Sequence, residues 1–208
     1  MKKVLVAGAT GKTGKKIVNL LKASEAYEPI AMVRNQTQEA EFKSQGINTR
    51  VGDLEGDIDR IAENVSKVIF AAGSGGEKVY DVDQEGAKKL IDASKRAKID
   101  KFVMLSSMGA DSPENATQLK AYLQAKHNAD EYLSASLLAY SILRPGTLTN
   151  NAGTGLIQAN SQMEQAGEIS RDDVAKTLVA LLDMNVARDK SLEILSGETQ
   201  IGEALKSI

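Results

Sequence analysis

Three glycines spaced three apart, Gly8, Gly11 and Gly14, follow an apolar run from Lys3 to Ala7 and open a segment with Ile17, Leu20 and Leu21 on one helical face. A strand that turns through Gly8-Ala9-Thr10-Gly11-Lys12-Thr13-Gly14 into a helix is a physical recipe for holding a pyrophosphate. Gly8 permits the tight turn, Gly11 lets the ligand approach the backbone, and Gly14 lets the helix pack closely on the sheet. The helix start then directs free N–H groups and its positive dipole end at the phosphates, with Thr10, Lys12 and Thr13 beside them. Gly11-Lys12-Thr13 also suggests a P-loop, but that motif needs a glycine five places before Gly11, where Val6 stands. A glycine-rich turn without a ligand is the competing reading. The strand before the turn and the helix after it supply the context that a dinucleotide site requires.

A second group of residues could do acid–base chemistry. Tyr122 and Lys126 stand four apart in a helical run from Gln118 to Ala135, so their side chains share one face. The same spacing occurs in ordinary surface packing. Ser106 and Ser107 offer hydroxyls just after the apolar run Lys101 to Leu105, and His127, off the face of Lys126, reads as a surface histidine. Charge speaks to the ligand. The run Pro29 to Val33 ends in Arg34 and Asn35, with no acid until Glu39. A site that prefers NAD(H) places Asp or Glu at that strand end, whereas an arginine there accommodates the 2′-phosphate of NADP(H) through charge-assisted, often bidentate hydrogen bonds. These residues favour NADP(H), with NAD(H) as the weaker ligand.

The elements that must position these groups alternate along the chain. Strands are expected at Lys3 to Ala7, Pro29 to Val33, Asn48 to Val51, Lys67 to Ala71, Lys101 to Leu105, Tyr140 to Leu143 and Leu192 to Leu195. Helices fall at Lys12 to Ala23, Thr37 to Gln45, Asp81 to Lys98 and Gln118 to Ala135, and a late one opens at Ser170 and runs to about Asp183. The clearest is Asp81 to Lys98, with Val82, Ala87, Leu90, Ile91 and Ala97 close to one stripe. Strands alternating with helices imply right-handed βαβ units and a doubly wound parallel sheet, an α/β fold of Rossmann type. Asn150 to Gln165, rich in Gly, Asn and Gln, reads as a long, weakly structured excursion, and the 208 residues read as one domain.

Composition narrows the class further. A net charge of −2 gives no bulk attraction to nucleic acid, and Lys15-Lys16 is too short to be a basic patch. The absence of cysteine excludes disulfides, thiolate metal ligands and a cysteine nucleophile, and it fits a reducing, cytoplasmic setting. No metal site is expected. Val4 to Gly8 is far short of a signal peptide, and Ser134 to Leu143 falls below the ~20 residues needed to span a bilayer, so no membrane partner is expected.

The chain resembles the atypical short-chain dehydrogenase/reductases, the group containing NmrA-like and biliverdin-reductase-B-like proteins. The resemblance starts at the glycine turn and continues through Arg34, Gly52-Asp53-Leu54, Ala71-Ala72-Gly73 and Val82-Asp83-Gln84-Glu85-Gly86-Ala87. It goes on in Phe102 to Ser107, Tyr122 to Lys126, Leu143-Arg144-Pro145-Gly146 and Ile169 to Ala175. In such a protein Tyr122 donates a proton to the substrate carbonyl as hydride arrives, while Lys126 binds the nicotinamide ribose and tunes the tyrosine. Ser106 or Ser107 orients the carbonyl, Ser107 being the preferred candidate. Asp53, with Leu54, meets the adenine; Ala71, Ala72 and Gly73 lie close to the cofactor; Pro145 and Gly146 set their backbone against the nicotinamide amide. The segment 147–208 begins on the substrate side. The resemblance implies an NADP(H)-dependent oxidoreductase acting on a small carbonyl, quinone or flavin-like acceptor, working as a monomer or homodimer. The alternative is a non-catalytic NADP(H) sensor of the NmrA type. A sugar-nucleotide epimerase is the more distant reading, because epimerase-like relatives place a working Ser or Thr where Met108 stands and carry a larger C-terminal region.

Overall fold

Continuous apolar runs become central strands when both faces of a sheet are covered. The computed structural model, which describes residues 1–208, forms them accordingly. In chain order the elements open with β1 (Lys2–Ala7), α1 (Lys12–Lys22), β2 (Tyr27–Val33), α2 (Gln36–Ser44), β3 (Asn48–Val51) and β4 (Lys67–Phe70). A π-helical segment (Val79–Gly86) runs into α3 (Ala87–Ala97), followed by β5 (Lys101–Leu105), α4 (Lys120–Ser134), β6 (Tyr140–Pro145) and β7 (Thr147–Thr149). The chain ends with β8 (Leu156–Asn160), β9 (Glu168–Ser170), α5 (Arg171–Ala180), β10 (Lys190–Ser196), β11 (Thr199–Gln200) and α6 (Ile201–Lys206). The main sheet has the order β11-β8-β10-β6-β5-β4-β1-β2-β3. Its half from β6 to β3 is the parallel, doubly wound Rossmann arrangement, with the strand order reversing between β1 and β4. Val4 and Val6 point into one apolar core with Ile17 and Leu21 of α1 and Leu178 of α5. Leu5 and Ala7 point into the other, with Leu90 and Ile91 of α3 and Leu133 of α4.

Two expectations need correction. The segment from Asn150 to Gln165 is not a structureless excursion: it holds β8, which pairs antiparallel with β10 and makes the sheet mixed. Only Ile157 of that strand is fully buried, and its polar neighbours Gln158 and Asn160 hide the strand in a reading of the sequence. The helix expected over Asp81 to Lys98 is a π-helical segment followed by α3. Gly86 packs so tightly that a Cβ there would lie 2.8 Å from Cβ of Leu54. The wider turn puts Asp83 and Gln84 inside and leaves Val82 half-buried. The β7–β9 pair, β11 and α6 were not foreseen; they are too short to show a period.

At the edge of the sheet where the strands begin, Lys67 and Lys101 are register partners on β4 and β5, and both are buried. The Lys101 ammonium donates to the carbonyls of Asp183 and Val186 at 2.8 Å each, and Lys67 donates to that of Leu182. Ser141 adds a hydrogen bond to the Ala187 carbonyl at 2.7 Å. Donors from three strands thus fasten the connection between α5 and β10. Burial pushes Lys101 down to about 8.

Candidate active site

The carboxyl ends of β1, β2, β3 and β4 converge on one cleft of about 350 Å³. Its floor is the glycine turn. Gly8 has φ +82°, and a Cβ there would lie 2.5 Å from the backbone nitrogen of Ala72, so only glycine fits between β1 and the end of β4. Gly11 donates its N–H to the Gly8 carbonyl at 3.0 Å, and the helical ladder of α1 begins with Lys15 donating to Gly11 at 2.9 Å. The N–H groups of Lys12, Thr13 and Gly14 therefore have no backbone acceptor, and no side chain caps the helix. Three free donors at the positive end of an 11-residue helix fit a pyrophosphate. On the opposite wall Arg34 is exposed and its guanidinium makes no hydrogen bond or ion pair within the chain. Its turn is held from behind: the Arg34 N–H donates to Oε1 of Gln38 at 2.8 Å, and Asn35 caps α2 by accepting from the Gln38 N–H at 3.0 Å. Asp53 accepts from the Glu55 N–H at 3.0 Å, which fixes its turn while leaving the residue on the cleft wall.

Beyond the far wall of the cleft lies a buried cluster of charge. Asp83 is wholly buried, and its Oδ2 accepts both the N–H of Ser74, at 3.0 Å, and its hydroxyl, at 2.7 Å. Its Oδ1 lies 3.2 Å from the Lys126 ammonium, outside hydrogen-bond geometry, and has no hydrogen-bond partner. Lys126 spends one hydrogen on a long contact of 3.4 Å to the Leu105 carbonyl, and its ammonium stands 5.6 Å from the ring centre of Tyr122 and 5.7 Å from that of Phe70. One helical turn further on, Asp130 accepts from the Ser106 hydroxyl at 2.8 Å and from Nε of Arg144 at 3.0 Å. Burial raises the Asp130 carboxyl above the usual range, against the pull of Arg144 and Ser106.

The sequence-derived residues divide between these two places. Gly8, Thr10, Gly11, Arg34, Asp53, Leu54, Ala71, Ala72 and Gly73 line the cleft. Lys12, Thr13 and Gly14 stand behind its floor, as the first helical turn. Tyr122, Lys126, Ser106, Ser107, Pro145 and Gly146 lie outside the cleft lining. Ser106 is buried on Asp130, whereas Ser107 is half-buried and bonds only the neighbouring Met108 carbonyl, at 3.3 Å, so Ser107 is the hydroxyl left available. The Pro145 carbonyl accepts from Met108 N–H at 3.1 Å, and Gly146 packs on Gly167 and Leu195. His127 is half-buried, with Nδ1 2.8 Å from the Ala110 carbonyl, rather than a free surface group. Sequence reasoning missed Gln38, Ser74 and Lys78 in the cleft wall and Asp83 and Asp130 beneath it. Asp130 had a signal: it follows Lys126 by four residues, on the face that Tyr122 and Lys126 share.

Comparison with known proteins agrees with this geometry. Residues 8–185 match the family described as NAD(P)H-binding. The Bacillus subtilis protein named "Uncharacterized sugar epimerase YhfK" is 41% identical over 99% of this chain and 100% of the relative. Sanguinarine reductase of Eschscholzia californica is 28% identical over 98% of this chain and 92% of its own. A Bacillus halodurans structure whose name assigns it to NAD-dependent epimerases/dehydratases shares 34% identity over the full length of both chains, with a TM-score of 0.93. ChuY of Escherichia coli O157:H7, named an anaerobillin reductase, superposes with a TM-score of 0.81 at 25% identity, covering 94% of this chain and 97% of that one. A glycine turn with free helical donors stands at the reversal point of a Rossmann sheet, and the chain that carries it belongs to the NAD(P)H-binding family, which it matches over residues 8–185.

Proposed function

We propose that this protein is an NADPH-dependent reductase of a small carbonyl, quinone or flavin-like acceptor. One observation carries the reading: a buried ammonium with unused donors, Lys126, stands 5.6 Å from the ring centre of Tyr122 on the same helix. Buried donors left without acceptors are costly unless a ligand completes them. A ribose hydroxyl is a natural acceptor at that place, and Tyr122 then becomes the proton donor next to it. A reduced nicotinamide reaching from the cleft to Tyr122 would supply the hydride. Arg34 favours NADPH through the 2′-phosphate, and Ser107 orients the acceptor's oxygen. Relatives named reductases support the reaction class, while Met108, in the place of a hydroxyl residue, argues against epimerase chemistry.

The test is NADPH oxidation across quinones, flavins and aldehydes, in wild type and in Tyr122→Phe. The variant is expected to keep its NADPH affinity and to lose roughly 10²–10⁴ in turnover, the usual contribution of a general acid. Lys126→Ala should weaken both. A Tyr122→Phe protein reducing its acceptor at the wild-type rate refutes the assignment. A second reading, a non-catalytic NADP(H) sensor, is favoured by the place of Tyr122, Lys126 and Ser107 outside the cleft lining. Tight NADPH binding without turnover of any acceptor would establish it.

A further inference from the structure

We propose that Asp83 is a positioning residue that neutralises the Lys126 ammonium without using up its hydrogens, and that it is aimed by Ser74 from the wall of the cofactor cleft. This rests on the reading that Lys126 and Tyr122 form the reactive pair.

A lysine buried in an apolar core needs a counter-charge, since an isolated ammonium is costly to desolvate. The usual solution is a hydrogen-bonded carboxylate, which, with the Leu105 contact, would leave only one of the three ammonium hydrogens for a cofactor hydroxyl. Here the two tasks are separated. Asp83 Oδ2 is saturated by the N–H and hydroxyl of Ser74, and this fixes the carboxylate plane. Oδ1 is thereby left 3.2 Å from Lys126, near enough for strong attraction and outside hydrogen-bond geometry. The lysine is thereby left with hydrogens to donate. The π-helical segment makes the arrangement possible, because its wider turn brings Asp83 inward to face α4. Gly73 belongs to the same device. A Cβ there would stand 3.2 Å from Asp83 Oδ1, and both Gly73 and Ser74 line the cleft, so the cleft wall and the lysine's counter-ion are one continuous contact.

The test is a double-mutant cycle of Asp83→Asn and Lys126→Met, read in NADPH affinity by cofactor fluorescence, in turnover, and in thermal melting. Asp83→Asn keeps the shape and removes the charge. It is expected to weaken NADPH about tenfold and to lower kcat by about 10²-fold, the loss that a misplaced reacting group causes. In the Lys126→Met background the same substitution should change neither quantity more than twofold, and it should raise the melting temperature relative to Asp83→Asn alone. Ser74→Ala leaves the backbone N–H on Oδ2, should still fold and melt only a few degrees lower, and should lower kcat about threefold with little change in KM. It keeps the test open if Asp83→Asn does not fold. Wild-type affinity and turnover in Asp83→Asn, equal losses in both backgrounds, or an unaffected Ser74→Ala would each overturn the proposal. If the wild type turns over no acceptor, the reductase reading fails on its own. The affinity and melting arms of the cycle then still decide whether Asp83 acts through Lys126.

Discussion

Valine at position 11 should separate cofactor binding from folding. Gly11 has φ −72° and ψ 165°, an extended conformation open to any residue. A Cβ there would meet only the Gly8 carbonyl oxygen, at 3.3 Å. The strain is therefore small, and losing a glycine reduces the entropy of the unfolded chain by about 0.4–1 kcal/mol, which offsets it. Stability should change by no more than about 1 kcal/mol, or roughly 2–4 °C in melting temperature for a chain of this size. Binding is another matter. On the proposed placement of the pyrophosphate, the isopropyl group would stand where phosphate oxygens approach the free N–H groups of Lys12, Thr13 and Gly14. Losing two charge-assisted hydrogen bonds, at ~1.5–3 kcal/mol each, weakens NADPH by about 10²–10⁴-fold. Gly14→Ala is the opposite case, because its Cβ would be driven into the backbone carbonyl of Gly8. Backbone cannot yield as a side chain can, so about 1–3 kcal/mol or more of stability is lost. Fluorescence titration with NADPH and a thermal melt on both variants make the comparison. Wild-type affinity in Gly11→Val would show that the phosphates do not lie on this turn, and a wild-type melt in Gly14→Ala would remove the packing argument.

Arg34→Ala should cost about tenfold or more in NADPH affinity while leaving NADH unchanged, since its guanidinium is free to take only the 2′-phosphate; equal titrations of both cofactors in the wild type would reject that role. Lys101 makes a prediction about pH. Its folded pKa of about 8 lies below the value near 10.5 of an unfolded chain, so between these pH values the unfolded chain holds a proton that the folded one has released, and stability rises with pH. A neutral amine still has two hydrogens for the Asp183 and Val186 carbonyls, so deprotonation sacrifices neither bond. The urea midpoint should climb from pH 8 towards 10, by no more than about 1.4 kcal/mol per pH unit from this group, and Lys101→Met should flatten the climb. Parallel wild-type and mutant profiles would contradict it.

The part of the site built by backbone was legible in the sequence. Glycines at 8, 11 and 14 between an apolar run and a helix specify a turn geometry that local rules decide, and Arg34 is placed by the end of β2. The buried charges were not legible, because their positions depend on which face a helix turns inward. A regular α-helical period over Asp81 to Lys98 assigns Val82 to the core, whereas the π-helical turn buries Asp83 instead. β8 escaped for a related reason: a strand with a single fully buried residue leaves no alternation to read. Lys67 and Lys101 open their strands, and nothing local says that carbonyls from the far end of the chain will receive their ammonium groups.

Those two lysines bear on whether the protein can be divided. The chain from 147 onwards invites treatment as an exchangeable module, to be swapped between relatives to change the acceptor they take. Yet the strands that bear Lys67 and Lys101 belong to the cofactor-binding half, while the carbonyls they need lie at Leu182, Asp183 and Val186. A chain cut after Gly146 would leave two ammonium groups at the base of the sheet with no acceptors, and a graft from a relative would have to bring carbonyls to the same three points. Exchange of parts is therefore confined to the loops around the cleft and the segment between β6 and β9, with the α5–β10 connection kept native.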